Sequence, residues 1–324
     1  MNEVNRRQFL ALSAATVFSK NVTAKSRRTG LVLDERFSQH HISKAHPESP
    51  ARYQAITQHL LEHNLLNDIT LLHPKEDCEK WVKTIHSLEH INAIKTNQPQ
   101  THQYALIATG GVLASVDAVC AGKVDNAFCA SRPPGHHAKN TGQEEGFCYY
   151  NHIAIAARYA QQHYGLKKIL IIDWDYHHGN GTEWAFYSDA SVLYFSTHDM
   201  FAYPGTGFPD RKGEGEGKGF NINVHLGCGV TDDDIIEVFQ QSLMPAATKF
   251  EPDLILISAG FDSRQDDLLG CHHITDKGFV SLTNMVKMLA DIHCDGKIVS
   301  LLEGGYNIQG NASAVTAHIS ALME

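Results

Sequence analysis

The run Ile169-Leu170-Ile171-Ile172-Asp173-Trp174-Asp175-Tyr176-His177-His178-Gly179-Asn180-Gly181 decides the fold. Four consecutive aliphatic residues give way abruptly to polar, titratable ones. Unbroken apolarity, as opposed to alternation, means burial on both faces, which is the mark of a parallel strand between two helical layers. Leu254-Ile255-Leu256-Ile257 repeats the pattern ahead of Ser258-Ala259-Gly260-Phe261-Asp262. Working outward, strands are expected at 31–33, 69–72, 126–130, 168–173, 191–196, 221–225, 253–258 and 297–303. Helical periods fall between them at 50–66, 76–96, 104–121, 151–164, 232–249, 275–291 and 309–322. This alternation predicts one α/β domain over 30–324, three layers (α/β/α) around a parallel sheet of about eight strands.

Composition narrows the function. Of 324 residues 43% are hydrophobic, and the net charge is −9 with histidine neutral. Such an acidic balance argues against a nucleic-acid or anionic-membrane partner. No uninterrupted apolar run reaches the ~18 residues of a membrane-spanning segment. The seven cysteines stand at 78, 120, 129, 148, 228, 271 and 294, with no C-x-x-C pair. Their spacing nominates no disulfide, and most read as small buried hydrophobes. The glycine-dense 213–219 stretch lacks the strand-then-helix context of a phosphate loop and reads as a flexible loop. The unusual figure is 21 histidines.

The first 24 residues read as an address. Arg6-Arg7 precedes Phe9-Leu10, a mildly apolar stretch follows, and Val22-Thr23-Ala24 supplies a small-residue cleavage site. This resembles a twin-arginine export signal, with Asn5 where Ser or Thr is commoner and no Lys after Leu10. The expectation is a cleaved signal at 1–24 and a periplasmic or otherwise exported protein, with the cytoplasm as the alternative. Cleavage would remove Arg6, Arg7, Lys20 and Glu3 and take the net charge from −9 to −11.

Sites in open α/β sheets form past the carboxyl ends of strands. Polar side chains follow five of the apolar runs here. Asp175 and His177, two apart, point the same way in extended backbone. Asp262 arrives from another strand end. An Asp₂His set is hard, contains no thiolate and leaves a position open for water, as in a catalytic zinc or iron(II) site. Carboxylates at buried strand ends without Lys or Arg nearby are costly unless a cation joins them. Pro133-Pro134-Gly135 stiffens the approach to His136-His137. Of two adjacent imidazoles near acids, one becomes cationic and the other stays neutral to accept a proton. Tyr306, after Gly304-Gly305, offers a phenol to a developing oxyanion.

Together these residues resemble the histone deacetylase superfamily, which includes bacterial acetylpolyamine amidohydrolases. The landmarks run in family order: His46-Pro47-Glu48-Ser49-Pro50-Ala51-Arg52, Arg132-Pro133-Pro134-Gly135-His136-His137, Gly146-Phe147-Cys148, the stretch 173–181, Ser258–Asp262 and Glu303-Gly304-Gly305-Tyr306. Their wording is closer to the class II branch. The resemblance implies the arginase-like fold with eight parallel strands, and one Zn²⁺, with Fe²⁺ as the alternative, on Asp175, His177 and Asp262. It implies His137 as general base, His136 with Asp173 as its electrostatic partner, and Tyr306 on the oxyanion. Asn180 falls where class I members carry aspartate. Gly146, Phe147 and Tyr203 would line the acyl-lysine tunnel, and Leu269 would sit at its gate. A structural K⁺ would take Asp173, Ser196 and Thr197 with the backbone of Asp175 and His177. A weaker cation site would use backbone at Phe186, Asp189, Val192 and Phe220.

The implied reaction is hydrolysis of an acetylated lysine peptide or small acetylated amine. The apolar Leu269 favours acetyl-lysine over an acetylated polyamine, although Glu144 and Glu145 offer an acidic rim. Two further readings are a catalytically silent zinc-binding interaction protein and a binuclear manganese ureohydrolase. Trp174 and Tyr176 leave the latter short of carboxylates.

Overall fold

The computed structural model describes residues 26–324; the expected signal at 1–24 lies outside them. Eight strands are present: β1 (Thr29–Val32), β2 (Thr70–Leu72), β3 (Asn126–Cys129), β4 (Ile169–Asp173), β5 (Val192–His198), β6 (Asn221–His225), β7 (Leu254–Ala259) and β8 (Ile298–Leu302). They form one sheet in the order β2-β1-β3-β8-β7-β4-β5-β6, and every pairing is parallel. The helices are α1 (Pro50–Glu62), α2 (Glu79–Val82), α3 (Leu88–Asn97), α4 (Pro99–Cys120), α5 (His152–Tyr164), α6 (Asn180–Phe186), α7 (Asp232–Val238), α8 (Met244–Phe250), α9 (Asp276–His293) and α10 (Ile308–Met323).

The aliphatic runs serve two cores at once. Ile169 and Ile171 of β4 join the core under α3, α4 and α5, whereas Leu170 and Ile172 join the core under α9 and α10. In β7, Leu254 and Leu256 go one way and Ile255 and Ile257 the other. Side chains alternate across a strand with period two, so both faces must be covered. Among the described residues α4 is long and apolar enough to cross a membrane by length and composition. Here it lies on the sheet, with Val112, Leu113 and Val116 fully buried.

Several boundaries differ from expectation, each for a local reason. The helix expected at 76–96 is two, because Ser87 caps a new start by accepting the His90 N–H. The one expected at 232–249 passes through a π-helical turn at Phe239–Leu243, just before Pro245, which has no N–H to donate back. Helix α6 was not expected, since Asn180-Gly181-Thr182 is a poor helical opening. The 213–219 stretch is a largely exposed loop with one short 3-10 turn, tied by Glu214 N donating to Tyr187 O at 2.9 Å and Phe220 N to Gly217 O at 3.0 Å. A capping box opens α7, with Thr231 N donating to Asp234 at 2.9 Å. Asp232 then accepts from Thr275 N and Oγ1, tying α7 to the start of α9.

The cysteine reading needs correction. Cys228 and Cys271 are joined in a disulfide across 43 positions of sequence. Cys228 is exposed rather than a small core residue. Spacing could not nominate the pair, because the loops after β6 and β7 meet only once the sheet is assembled.

Candidate active site

Asp173, the last residue of β4, is the register partner of Ser258 in β7. The loops leaving these neighbouring strands therefore emerge side by side, which brings Asp175, His177 and Asp262 together. Their ligand atoms all lie within 4.8 Å of one another. His177 Nδ1 is 2.9 Å from Asp262 Oδ2 and 3.3 Å from Asp175 Oδ1. Backbone donors fix both carboxylates: Gly304 N reaches Asp175 Oδ2 and Tyr176 N reaches Asp262 Oδ1, each at 2.8 Å. Two glycines make this approach possible. A Cβ on Gly260 would stand 2.0 Å from Asp175 Oδ2, and one on Gly304 would stand 2.1 Å from Asp262 Oδ2.

The group suits a divalent cation. Both aspartates are buried, and among the described residues neither pairs with a lysine or arginine. Burial, then the Asp175 charge, pushes the Asp262 carboxyl up to about 7. Against burial, Asp262 and Asp175 push His177 up to about 10. A proton on an imidazole is the cation the chain itself can offer them, whereas a metal would satisfy both without one.

Beside this set lie His136 and His137, ring centroids 4.0 Å apart. His136 Nδ1 is 3.1 Å from Asp173 Oδ2, which also accepts the Tyr194 hydroxyl at 2.9 Å. His137 Nδ1 is 2.8 Å from Asn180 Oδ1. An amide oxygen only accepts, so Nδ1–H donates and Nε2 keeps its lone pair. The backbone is clamped by Glu303, which accepts Gly135 N at 2.7 Å and His136 N at 3.2 Å. The two rings titrate apart. Burial works against a charge on His136, but Asp175, Asp173 and Glu303 outweigh it and hold its pKa well above the ordinary imidazole value. Burial, then the charges of His136 and His177, pushes His137 well below it.

A cavity of about 780 Å³ opens over these groups, with His137, His177 and Tyr306 in its lining. Gly146, Phe147, Tyr203 and Leu269 line it as well. Gly146 is held by a left-handed backbone (φ 54°) and by space, since a Cβ there would meet the His137 ring at 2.3 Å. Phe147 is also left-handed (φ 70°), and the Glu144 carboxylate accepts its N–H. Glu145 pairs with Lys139 Nζ at 3.1 Å and accepts Lys139 N at 2.9 Å. Both rim glutamates are thus engaged by the chain itself.

Tyr306 is nearly buried, and burial raises its pKa well above 10 even with Arg52 opposing, so it stays a neutral donor. The Arg52 guanidinium stands 5.1 Å over its ring. Arg52 also donates to Gly305 O at 2.6 Å and Glu303 O at 2.5 Å. Glu48 sits between Arg52 and Arg132, with Arg132 Nε at 2.5 Å. On the other side, Asp267 accepts from Tyr306 N. Sequence reasoning gave no role to Glu48, Arg52, Arg132, Tyr194, Asp267 or Glu303. Charged residues inside otherwise compact motifs, as in 46–52, were the available signal.

The residues expected around K⁺ are also neighbours: Asp173 and Ser196 are register partners in β4 and β5. Ser196 Oγ lies 2.7 Å from His198 Nδ1, and Thr197 Oγ1 is buried without a partner. At the weaker expected site, the Phe186 and Phe220 carbonyls already accept Asp189 N and Tyr194 N.

Residues 46–322 match the family described as the histone deacetylase domain. The chain belongs to that family. A crystal structure of the HDA15 HD domain superposes on this histone deacetylase domain with a TM-score of 0.86 at 37% identity, covering 91% of this chain and 89% of that one. Histone deacetylase 15 of Arabidopsis thaliana is 37% identical over 91% of this chain, which spans 56% of that protein's length. A probable deacetylase of Archaeoglobus fulgidus is 35% identical over 91% of this chain and 86% of its own length. The polyamine deacetylase HDAC10 of Mus musculus is 33% identical over 96% of this chain and 48% of its own length. The fold is therefore the arginase/deacetylase-like one that the sequence resemblance implied.

Proposed function

We propose that this histone deacetylase domain, residues 30–324, hydrolyses the amide of acetylated lysine side chains in peptides, proteins or small molecules. The observation that carries the reading is one cavity lined by His177, His137 and the buried neutral phenol of Tyr306, with Asp175 and Asp262 against His177 and the oppositely titrating His136 against His137. Asp175, His177 and Asp262 would hold Zn²⁺, or Fe²⁺, which supplies Lewis acidity toward the amide carbonyl and makes water acidic near neutrality. Neutral His137, with Nδ1–H anchored on Asn180, takes a proton from the attacking water at Nε2. Cationic His136, held by Asp173, stabilises the negative charge that builds beside it. Tyr306 donates its hydroxyl to the former carbonyl oxygen. A histidine then returns a proton to the leaving amine, which departs as acetate is formed. Asp173, Ser196 and Thr197, with backbone of Asp175 and His177, would hold a structural K⁺.

Substrate choice follows from the rim. Leu269 is apolar and Glu145 is paired with Lys139, which favours acetyl-lysine, whereas Glu144 lines the cavity with one oxygen engaged by Phe147 N–H and is the carboxylate a distal ammonium would meet. The second reading, an acetylpolyamine amidohydrolase, draws on the mouse relative's name. Comparing kcat/KM on an acetyl-lysine peptide and on N⁸-acetylspermidine tests the choice: peptide preference is expected, and strong polyamine preference would reverse it. Absence of turnover on both, with metal bound, would favour an interaction protein of the same fold. Asp262→Ala should lose the metal. We also propose export through residues 1–24. Replacing Arg6 and Arg7 by lysine should hold the protein in the cytoplasm of a bacterial host; unchanged fractionation would reject export by this signal.

A further inference from the structure

One cluster of metal-binding side chains has no part in the reaction above. Asp199, Cys228 and Cys271 offer ligand atoms that all lie within 4.8 Å of one another. They come from three loops: Asp199 follows β5, Cys228 follows β6, and Cys271 ends the segment that carries Asp262 and Leu269. Tyr176 joins this cluster to the cavity. Its hydroxyl donates to Asp199 Oδ2 at 3.0 Å and lies 3.0 Å from Cys271 Sγ, while Tyr176 itself lines the cavity.

The sulfurs are bonded to each other, and the bond is reachable, because Cys228 is exposed. The backbone holds the two cysteines together independently of that bond. Gly229 N donates to Cys271 O at 2.8 Å, and His273 N donates to Val230 O at 2.7 Å. Opening the disulfide would therefore leave two thiols facing one carboxylate rather than scatter them.

We propose that reduction of Cys228–Cys271 creates a second metal site, in which the two thiolates and the Asp199 carboxylate take a thiophilic divalent cation such as Zn²⁺. A dithiol reductant supplies two electrons and two protons, the S–S bond becomes two thiols, and the reductant closes its own disulfide. Metal binding then releases the two thiol protons to solvent. Two thiolates and a carboxylate, with water in the fourth position, form a zinc-type set of softer character than Asp175, His177 and Asp262. The same residues thus offer a covalent clamp in an oxidising compartment and a metal site in a reducing one.

Cobalt(II) is the probe, because thiolate ligands give a near-ultraviolet charge-transfer band that a sulfur-free set does not. The full chain, titrated without oxygen, should take up a further equivalent of cobalt and gain that band once a phosphine has reduced it. The Cys228→Ser/Cys271→Ser variant should show neither change. Asp199→Asn should keep the band and bind at least about tenfold more weakly, the cost that losing even an outer partner carries. Equal cobalt uptake by oxidised and reduced wild type would overturn the proposal, as would a band that persists in the double serine variant. If that variant does not fold, the wild-type comparison and Asp199→Asn decide. None of these readouts depends on turnover, so they stand or fall apart from the amidohydrolase reading.

Discussion

One carboxylate oxygen of Asp267 accepts two successive backbone donors, Tyr306 N at 2.6 Å and Asn307 N at 3.0 Å. The other oxygen accepts Leu269 N at 2.9 Å. The phenol and the gate leucine are therefore fixed by the same side chain. In Asp267→Asn one arm must become an NH₂ group that faces an N–H. Displacement by about 1 Å can cost 10²-fold in rate, so kcat should fall between roughly tenfold and that limit, with metal content unchanged. Steady-state kinetics beside metal analysis checks this, and full turnover would remove the pinning role.

Tyr306→Phe deletes one donor to the oxyanion and leaves Arg52 and Phe147 their ring contacts. Loss of a single such donor costs ~10²–10³ in kcat. Metal stoichiometry and thermal stability should stay near wild type, which separates a chemical defect from a folding defect.

Asn180→Asp places a carboxylate 2.8 Å from His137 Nδ1 in place of a neutral oxygen. A base works while deprotonated, so activity rises as pH climbs through the His137 pKa. An adjacent negative charge raises that pKa, by about 1–3 units for a close partner. The acid limb of the kcat/KM profile should move to higher pH by at least about one unit. A limb that does not move would assign it to another group.

His318 is buried between Thr283 Oγ1 at 2.7 Å and Ser300 Oγ at 2.9 Å, and burial pushes its pKa down to about 3. The unfolded chain binds this proton near 6.5, so the stability His318 provides is complete above that pH. It is lost progressively as pH falls from 6.5 toward 3, at up to about 1.4 kcal/mol per pH unit. His318→Gln should flatten the fall of the denaturant midpoint between pH 6 and 4. An unchanged slope would show that other groups control acid unfolding.

Much of the site was legible because strand ends announce themselves. Four aliphatic residues followed by Asp173, or by Ser258 and Asp262, place polar groups at one rim whatever the loops do. The expected Asp₂His set and the His136–Asp173 pair followed from that placement together with the family resemblance. What stayed hidden were relations that need the assembled molecule. Glu144 reads only as a rim acid, and nothing in the sequence shows that it also accepts the Phe147 N–H. Arg52 reads as part of a helix start until Gly305 O and Glu303 O meet it from 253 and 251 positions away in the chain. Cys228 and Cys271 meet although β4 and β5 stand between the strands, β6 and β7, that precede them.

The closeness of Gly260 and Gly304 to the carboxylates sets a boundary for protein engineering. No alanine scan or mutant library can add bulk beneath Asp175 and Asp262 without driving a methyl group into an oxygen. Retargeting this scaffold toward longer acyl chains or other amines has to proceed from above, through Tyr203, Leu269 and the 143–147 loop. Directed evolution can treat the floor as fixed hardware and the mouth as its workspace.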